Sequence, residues 1–218
     1  MAEQGGRTGE ARTSSFSPPQ AGGEAGDLLD LRLRAFLDLM ASEDPTPGGG
    51  SAAAVAVAMS VGLSGMVARA SPDWAEAGAA AAQAEHLRGR VAPLVQLDAE
   101  LYEEALVTLR LPRYTEAEVR SAAIRGALER AAEAPLLIAE AAADAACLAA
   151  DVAERGTADR RGDAVAAALL AEAAARAAAT LVAVNLVVSP EDYRVARSET
   201  AANTATDAAR RAVASVES

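Results

Sequence analysis

Apolar residues recur at intervals of three and four along most of this chain, which is the spacing that places side chains on one face of an α-helix. Segments that contain Pro or Gly interrupt the pattern, and the alternating β-branched runs that indicate strands do not occur. The pattern predicts helices near 28–41, 51–70, 72–110, 116–134, 135–155, 163–188 and from about 190 onward. Pro135 either kinks the fourth helix or separates it from the fifth. We therefore predict an all-α fold, a single antiparallel helical bundle of about six to eight helices with one long helix.

The composition agrees with helices and bounds the size of the core. Of 218 residues, 51% are hydrophobic and only 3% are aromatic, and the abundant Ala has the highest helix propensity. Because each buried Ala removes little area from water, we expect subunit association to supply part of the burial. We predict a homodimer with the 51–70 helix or the 72–110 helix in its interface. Residues 1–26 have almost no apolar side chains to bury, so we predict a disordered tail there and one helical domain over 27–218.

Charge and cysteine usage exclude several classes of partner. A net charge of −11 argues against nucleic acid, which is bound through basic patches. Residues 45–68 carry no charge, but their prolines and glycines and the lack of a basic flank favour a helix buried in protein over a membrane span. The single cysteine, Cys147, suits a reducing compartment, and the first residues lack the layout of a signal peptide. We therefore expect a cytoplasmic protein with no nucleic-acid and no membrane partner.

The segment Asp44–Ser51, Asp-Pro-Thr-Pro-Gly-Gly-Gly-Ser, separates the first two predicted helices. Its prolines end the first helix, and its glycines let the backbone approach a ligand or a neighbouring helix without a Cβ in the way. Ser51 takes the place of an N-cap or first-turn residue of the next helix. The unpaired N–H groups of that helix favour a carboxylate, a phosphate or a polar ring edge. The segment is either a packing device or a binding site.

Two polar residues fall within apolar runs. Asp98 lies in a helical stripe formed by Val91, Leu94, Val95, Leu101, Tyr102 and Ala105. An acid on a buried face must be paired, hydrogen-bonded or raised in pKa, which suits general acid–base catalysis; the alternative is a surface acid on a different helix face. Asn185 interrupts the apolar run 181–188, where an amide makes either a structural hydrogen bond or a ligand contact.

Asp163 opens the sixth predicted helix, seven residues after Gly156, and its ordinary role there is an N-cap. The chain has a single histidine, His86. No spacing of His, Cys and carboxylates indicates a metal, so we predict no metal site.

Three segments resemble the cyclodeaminase/cyclohydrolase family, which comprises all-helical enzymes that process one-carbon units on tetrahydrofolate. They are Phe36–Leu37, Pro45–Ala54 and Met66–Ala68, and the glycine motif of the second is their most specific part. Asp98–Tyr102, followed by Leu-Pro, resembles the family's Asp-Ala-x-Ala-Phe segment. Pro135–Glu140 is also similar, so that the likeness spans roughly residues 36 to 186.

The resemblance implies an activity and a set of site residues. The activity is that of a formimidoyltetrahydrofolate cyclodeaminase or a methenyltetrahydrofolate cyclohydrolase, which share an intermediate and a site and need no cofactor beyond the tetrahydrofolate substrate. Asp98 is then the catalytic proton shuttle, and Asp163, which matches the acid at the end of a family loop, is its helper or a ring-orienting group. The substrate-binding residues are Gly48, Gly49, Gly50, Ser51 and Asn185.

At four positions the chain departs from the family pattern, with Gln96, Thr157, Gly162 and Leu181 in place of an acid, an Asn, a Ser and an Asn. These departures support a second hypothesis, in which the scaffold persists but the folate chemistry has been lost, which leaves a small-molecule-binding or interaction protein.

Overall fold

A computed structural model describes residues 27–112, 116–187 and 189–216. These residues form seven α-helices: α1 Leu33–Met40, α2 Gly49–Arg69, α3 Ala77–Leu109, α4 Ala117–Ala131, α5 Glu133–Arg155, α6 Arg161–Asn185 and α7 Tyr193–Ala214. Short 3-10 turns cover Leu28–Asp30 and Ala158–Arg160, and the described residues contain no strand. The predicted all-α bundle is confirmed, and α3, with 33 residues, is the long helix. The predicted disordered tail, 1–26, lies outside the described residues.

The prediction of one continuous helix over 28–41 is wrong. Asp27 caps the 3-10 turn by accepting a hydrogen bond from the N–H of Leu29 at 2.9 Å, and the chain is then extended at Leu31 before α1 begins. The break changes which face of α1 meets the core. Phe36 is buried, whereas the side chain of Leu33 is 70% exposed.

Ser71 and Ser189 each precede a proline at the start of a predicted helix, which is the position of an N-cap, but neither serine caps a helix. Ser71 does not cap α3; its hydroxyl donates to the carbonyl of Val67 and accepts from the N–H of Thr157, each at 2.8 Å, and so joins the end of α2 to the α5–α6 loop. Ser189 does not cap α7, which begins with Asp192 as its N-cap. Pro135 belongs to the first turn of α5, so it separates two helices and does not kink one.

Helix α5 lies at the centre of the bundle and packs against α2, α3, α6 and α7. Most of its buried residues are alanines, which allow neighbouring helices to approach closely. Helices α2 and α6 also lie close together, because the hydroxyl of Ser60 on α2 donates to the carbonyl of Ala167 on α6 at 2.7 Å. A core of this kind gains contact from backbone proximity more than from large side chains.

By length and composition alone, α2 and the segment Ala158–Asn185 are apolar enough to cross a membrane. Both pack against other helices of the bundle, and about half of each is buried. Since core helices of globular proteins have the same length and composition, this is weak support for a membrane span.

Helices α2 and α6 run antiparallel, which gives the bundle two distinct ends. Gly49 lies beside Leu181 at the start of α2, and Met66 lies beside Arg160 near its end. We call these the glycine end and the Arg160 end. They are separated by most of the length of α2, about 25 Å at 1.5 Å per residue.

Candidate active site

The carboxyl group of Asp98 lies at the glycine end, against the first turn of α2. The N–H of Ser51 donates to Oδ2 of Asp98 at 2.9 Å. The Ser51 hydroxyl donates to the carbonyl of Val95 at 2.8 Å and lies 3.4 Å from the same Oδ2. Asp98 is 7% exposed, so the prediction that it belongs to the buried face of its helix is confirmed. An acid from α3 thus satisfies one of the unpaired N–H groups with which α2 begins.

Gly50 makes this arrangement possible. A β-carbon added to Gly50 would lie 1.9 Å from Oδ1 of Asp98 and 2.5 Å from Oδ2, far inside van der Waals contact. A β-carbon on Gly49 would meet only the side chain of Leu181, at an ordinary 3.7 Å. Glycine is therefore required at position 50, because the carboxyl of Asp98 fills the space that a β-carbon would need there.

Burial raises the pKa of Asp98 above its ordinary value, and the hydrogen bonds from the backbone and the side chain of Ser51 oppose this shift. The positive end of the α2 dipole also favours the ionised form. With desolvation the larger effect, the carboxyl holds its proton to a higher pH than an exposed Asp does. Such a group is suited to accepting and returning a proton.

A cavity of about 210 Å³ opens beside this carboxyl. Its wall combines the glycine turn with side chains of α3 and α6, namely Gly48, Gly49, Gly50, Tyr102, Leu181 and Asn185. Tyr102 follows Asp98 by one helical turn and supplies an aromatic ring to the wall. Wider, more open depressions lie along α7 near Arg210 and Arg211, but no buried acid lines them.

Asn185, the last residue of α6, is buried, and its side chain both contacts α4 and lines the cavity. Its Nδ2 donates to the carbonyl of Ala131 at 2.9 Å, which fastens the end of α6 to the end of α4. Among the described residues, none donates a hydrogen bond to its Oδ1. Because Asn185 also lines the cavity, it is both the structural contact and the candidate ligand contact that the sequence left open.

Asp163 does not meet Asp98 within one chain. It is exposed in the first turn of α6 at the Arg160 end, 22 positions before Asn185. At 1.5 Å per residue the two lie about 33 Å apart along the helix. The expectation that Asp163 assists Asp98 therefore cannot hold inside a single subunit.

The four departures from the family pattern are also spread over the molecule. Only Leu181 lines the cavity. Oε1 of Gln96 accepts from the N–H of Leu28, and its Nε2 donates to Glu100. Thr157 and Gly162 lie at the Arg160 end.

Three residues of the cavity wall were not predicted to belong to a site. The sequence placed Tyr102 in a core stripe and in the segment that resembles the family, it gave Pro135 a role only at a helix boundary or kink and in a similar segment, and it assigned no role to Val184. Tyr102 follows Asp98 at i+4 and Leu181 precedes Asn185 at the same spacing, so helical periodicity contained a signal for both. Pro135 reaches the cavity through the packing of α5, which no local pattern encodes. In the described ranges, no group of three His, Cys, Asp or Glu side chains is arranged to hold a metal ion.

Comparison with known proteins identifies relatives over most of the chain. The sequence model of the family described as formiminotransferase-cyclodeaminase matches residues 32–211. Methenyltetrahydrofolate cyclohydrolase from Methylorubrum extorquens is 35% identical over 162 residues, which cover 70% of this chain and 78% of that protein.

Formimidoyltransferase-cyclodeaminase from Rattus norvegicus is 29% identical over 145 residues, and the Sus scrofa protein of the same name is 30% identical over 148 residues. These matches cover 59% and 61% of this chain, but only 25% and 26% of those longer relatives. The crystal structure of formiminotetrahydrofolate cyclodeaminase from Thermotoga maritima matches with a TM-score of 0.77 at 23% identity, over 87% of this chain and 98% of the other. That match shows a shared fold.

Proposed function

We propose that this chain, which belongs to the formiminotransferase-cyclodeaminase family, is an enzyme that acts on a one-carbon unit carried by tetrahydrofolate. The observation that carries the proposal is the buried carboxyl of Asp98 in a cavity bounded by the glycine turn. Perturbed acids in concave sites are typical of catalysis. The activity needs no cofactor beyond the folate, and we place the protein in the cytoplasm.

The two reactions of the family's named members require the same proton chemistry. In cyclohydrolysis, water adds to an amidinium carbon and loses a proton to the carboxylate, which returns it to the ring nitrogen when the bond from that nitrogen to the carbon breaks. The remaining hydroxyl proton leaves to solvent as the formyl carbonyl forms. In cyclodeamination, a folate amine attacks the carbon of the protonated formimino group and loses its proton to the carboxylate. The carboxyl group delivers that proton to the departing nitrogen, which leaves as ammonia as the amidinium forms. Both reactions need a shuttle and rigid positioning, and Asp98 is suited to that role.

Of the two reactions, the comparisons favour cyclohydrolysis. The match to the named cyclohydrolase is both closer and more complete than the matches to the longer bifunctional proteins. We therefore place methenyltetrahydrofolate first as substrate and formimidoyltetrahydrofolate second.

The cavity supports binding of only part of a folate. Its volume of about 210 Å³ lies below the roughly 300–1,000 Å³ of pockets that enclose drug-sized ligands. We infer that it takes the reacting ring, with Tyr102 against the ring face and Oδ1 of Asn185 accepting from a ring N–H. Gly48 and Gly49 remain at the wall as backbone contacts, and the rest of the folate extends over the surface.

The alternative, a scaffold without folate chemistry, has less support than the sequence suggested. It rested on four substituted positions, and Leu181 is the one among them that lines the cavity. A change of Asn to Leu there removes a polar contact but leaves the acid, the amide and the glycine turn together.

We also propose that the chain forms a homodimer through α2 and α6. Along the exposed side of α2 runs an uncharged stripe of half-buried or exposed residues: Val55, Ala56, Met59, Gly62, Leu63 and Met66. By helical spacing, α6 adds Ala166, Leu170, Ala173 and Ala177 beside it. Two helices about 30 Å long cover roughly 600 Å², comparable with the ~800 Å² per partner of a standard interface. Met59, 52% exposed, lies at the middle of the stripe.

Such a dimer would give Asp163 a place in the site. A two-fold axis perpendicular to α2 near Met59 reverses the helix direction in the second subunit, so the Arg160 end of one subunit faces the glycine end of the other. The partner subunit's Asp163 then approaches the N-terminal turn of α2, whose dipole attracts a carboxylate. Asp163 would act across the interface.

The proposed activity is tested with the purified chain and both folates. We expect methenyltetrahydrofolate to be converted to formyltetrahydrofolate faster than it hydrolyses without protein, with formimidoyltetrahydrofolate assayed in parallel for ammonia release. Catalysis of neither reaction, together with tight folate binding, would favour the alternative. Absence of both binding and turnover would reject a folate role altogether.

A further inference from the structure

The glycine motif has a different role in the structure from the one its sequence suggests. The sequence indicates a backbone surface open to a ligand. At position 50 that space is occupied by the Asp98 carboxyl, whose Oδ1 lies where a β-carbon would be. The N–H of the next residue, Ser51, is also already engaged, because it donates a hydrogen bond to Oδ2 of Asp98.

Granted the proposed function, we propose that Gly50 and Ser51 are positioning residues, which hold the Asp98 carboxyl in one orientation so that Oδ1 exchanges the proton with the substrate. They act through Asp98 and need no contact of their own with the substrate. The geometry of the two carboxyl oxygens carries this assignment.

The two oxygens have unlike surroundings. Oδ2 accepts a hydrogen bond from the Ser51 N–H at 2.9 Å and lies 3.4 Å from the Ser51 hydroxyl. No described residue donates a hydrogen bond to Oδ1, which lies over Gly50 at the cavity wall. An oxygen that accepts a hydrogen bond from a backbone N–H binds a proton less readily, so Oδ1 is the oxygen that takes up and returns the proton.

The Ser51 side chain fixes the partner helix. Its hydroxyl donates to the carbonyl of Val95, which lies three residues before Asp98 on α3. One residue thus holds both the carboxyl, through its N–H, and the backbone turn that carries the carboxyl, through its hydroxyl. A displacement of about 1 Å at a catalytic group costs on the order of 10²-fold in rate, so this double attachment matters for catalysis.

The test compares two glycine-to-alanine substitutions, one on each of the two helices that meet at Asp98. Gly50→Ala places a β-carbon against the carboxyl, so Asp98 must rotate or move, and we expect kcat to fall ~10²-fold. Gly89→Ala is the control: Gly89 lies on α3, the helix that carries Asp98, but outside the cavity wall, and a β-carbon there would meet nothing within 4 Å. We expect near wild-type kcat and KM for Gly89→Ala. A wild-type kcat in Gly50→Ala would overturn the proposal.

A double variant separates positioning from a direct or structural role. If Gly50 acts only through Asp98, the double variant Gly50→Ala/Asp98→Asn should have the same residual activity as Asp98→Asn alone. A further large loss in the double variant would show that Gly50 has a role of its own and would contradict the assignment.

A third measurement does not depend on turnover. In the wild type, the NMR shift of the Ser51 amide should titrate with the carboxyl that it binds. In Gly50→Ala this titration should be lost, whereas in Gly89→Ala it should persist. Persistence in Gly50→Ala would reject the positioning role, whether or not the chain acts on folate. If Gly50→Ala does not fold, the double variant Gly50→Ala/Asp98→Ala should restore folding, because it lacks the carboxyl that the β-carbon would meet. A double variant that also fails to fold would reject the positioning role.

Discussion

Nδ2 of Asn185 donates a hydrogen bond to the carbonyl oxygen of Ala131 across 2.9 Å, and each residue is the last of its helix. The carbonyl of Ala131 is one of those that a helix end leaves without an intrahelical partner. One amide therefore closes α4, anchors α6 and still presents Oδ1 at the cavity. The buried amide that the sequence singled out has a structural role, and its second polar atom remains available to a ligand.

Removal of this amide should lower stability. Asn185→Ala leaves the carbonyl of Ala131 without its partner, and we expect the free energy of unfolding to fall by ~1–3 kcal/mol. Thr180→Ala on the same helix is the control, because its exposed hydroxyl bonds only to the carbonyl of Arg176 in its own helix. We expect a change of under ~0.5 kcal/mol there. Urea denaturation measures both, and equal losses would show that the Ala131 contact contributes nothing specific.

The role of Asp98 predicts a specific kinetic defect. Asp98→Asn keeps the shape and an oxygen that can accept the Ser51 N–H, but it cannot exchange a proton. We expect kcat to fall ~10²–10⁴-fold. Folate affinity should change far less, because loss of a shuttle acts mainly on the transition state.

Glu100→Gln is the matched control for this substitution. Glu100 is an exposed acid two positions along α3, held by Nε2 of Gln96 and outside the cavity wall. The turnover of Glu100→Gln should stay at the wild-type level. Equal turnover in Asp98→Asn and the wild type would show that another group moves the proton.

Asp98 should also affect stability in a pH-dependent manner. Because burial raises its pKa in the folded state above the ordinary 3.8, the folded protein holds this proton more tightly than the unfolded chain does. That stabilisation is fully present below the ordinary value and is lost as the pH rises through the raised folded pKa. Asn has no proton to lose. The stability of Asp98→Asn relative to the wild type should therefore increase as the pH rises from the ordinary value of 3.8 to the raised folded pKa. Denaturant titrations across this range measure it, and a decrease would mean that the Ser51 hydrogen bonds outweigh desolvation.

The helical periodicity of apolar residues, and the polar residues that interrupt it, predicted much of the fold and part of the site. The apolar stripe on α3 correctly predicted that Asp98 is buried, and Pro135 has one of the two roles that the sequence left open for it, at the boundary between α4 and α5. Ser71 and Ser189 have the sequence position of helix N-caps, but neither caps a helix. Ser71 instead accepts a hydrogen bond from the N–H of Thr157, 86 positions away. No local pattern encodes such a contact. The glycines likewise indicated a close approach, but only the packing of α3 on α2 identifies a carboxyl as the approaching group.

The dimer interface can be tested with a glycine substitution that should leave the subunit intact. A β-carbon on Gly62 of α2 meets nothing within 4 Å, and the same is true of Gly89 on α3. Arg at either position improves helix propensity by up to ~1 kcal/mol, so the fold should persist. Light scattering should report a dimer for the wild type and Gly89→Arg and a monomer for Gly62→Arg. A monomeric wild type at micromolar concentration would contradict the dimer, and a dimeric Gly62→Arg would place the interface elsewhere.

Subunit mixing tests whether Asp163 acts across that interface. Asp163→Asn and Asp98→Asn should each be inactive as homodimers, the former because the site loses an acid supplied by the partner subunit. In a mixed dimer, the intact Asp98 of one chain meets the intact Asp163 of the other, so one site of two is complete. Random pairing makes half of the dimers mixed, and activity should recover to about a quarter of the wild type. If both acids belonged to one subunit, mixing would restore nothing. Full activity of Asp163→Asn alone would remove Asp163 from the site and leave it as an exposed residue in the first turn of α6.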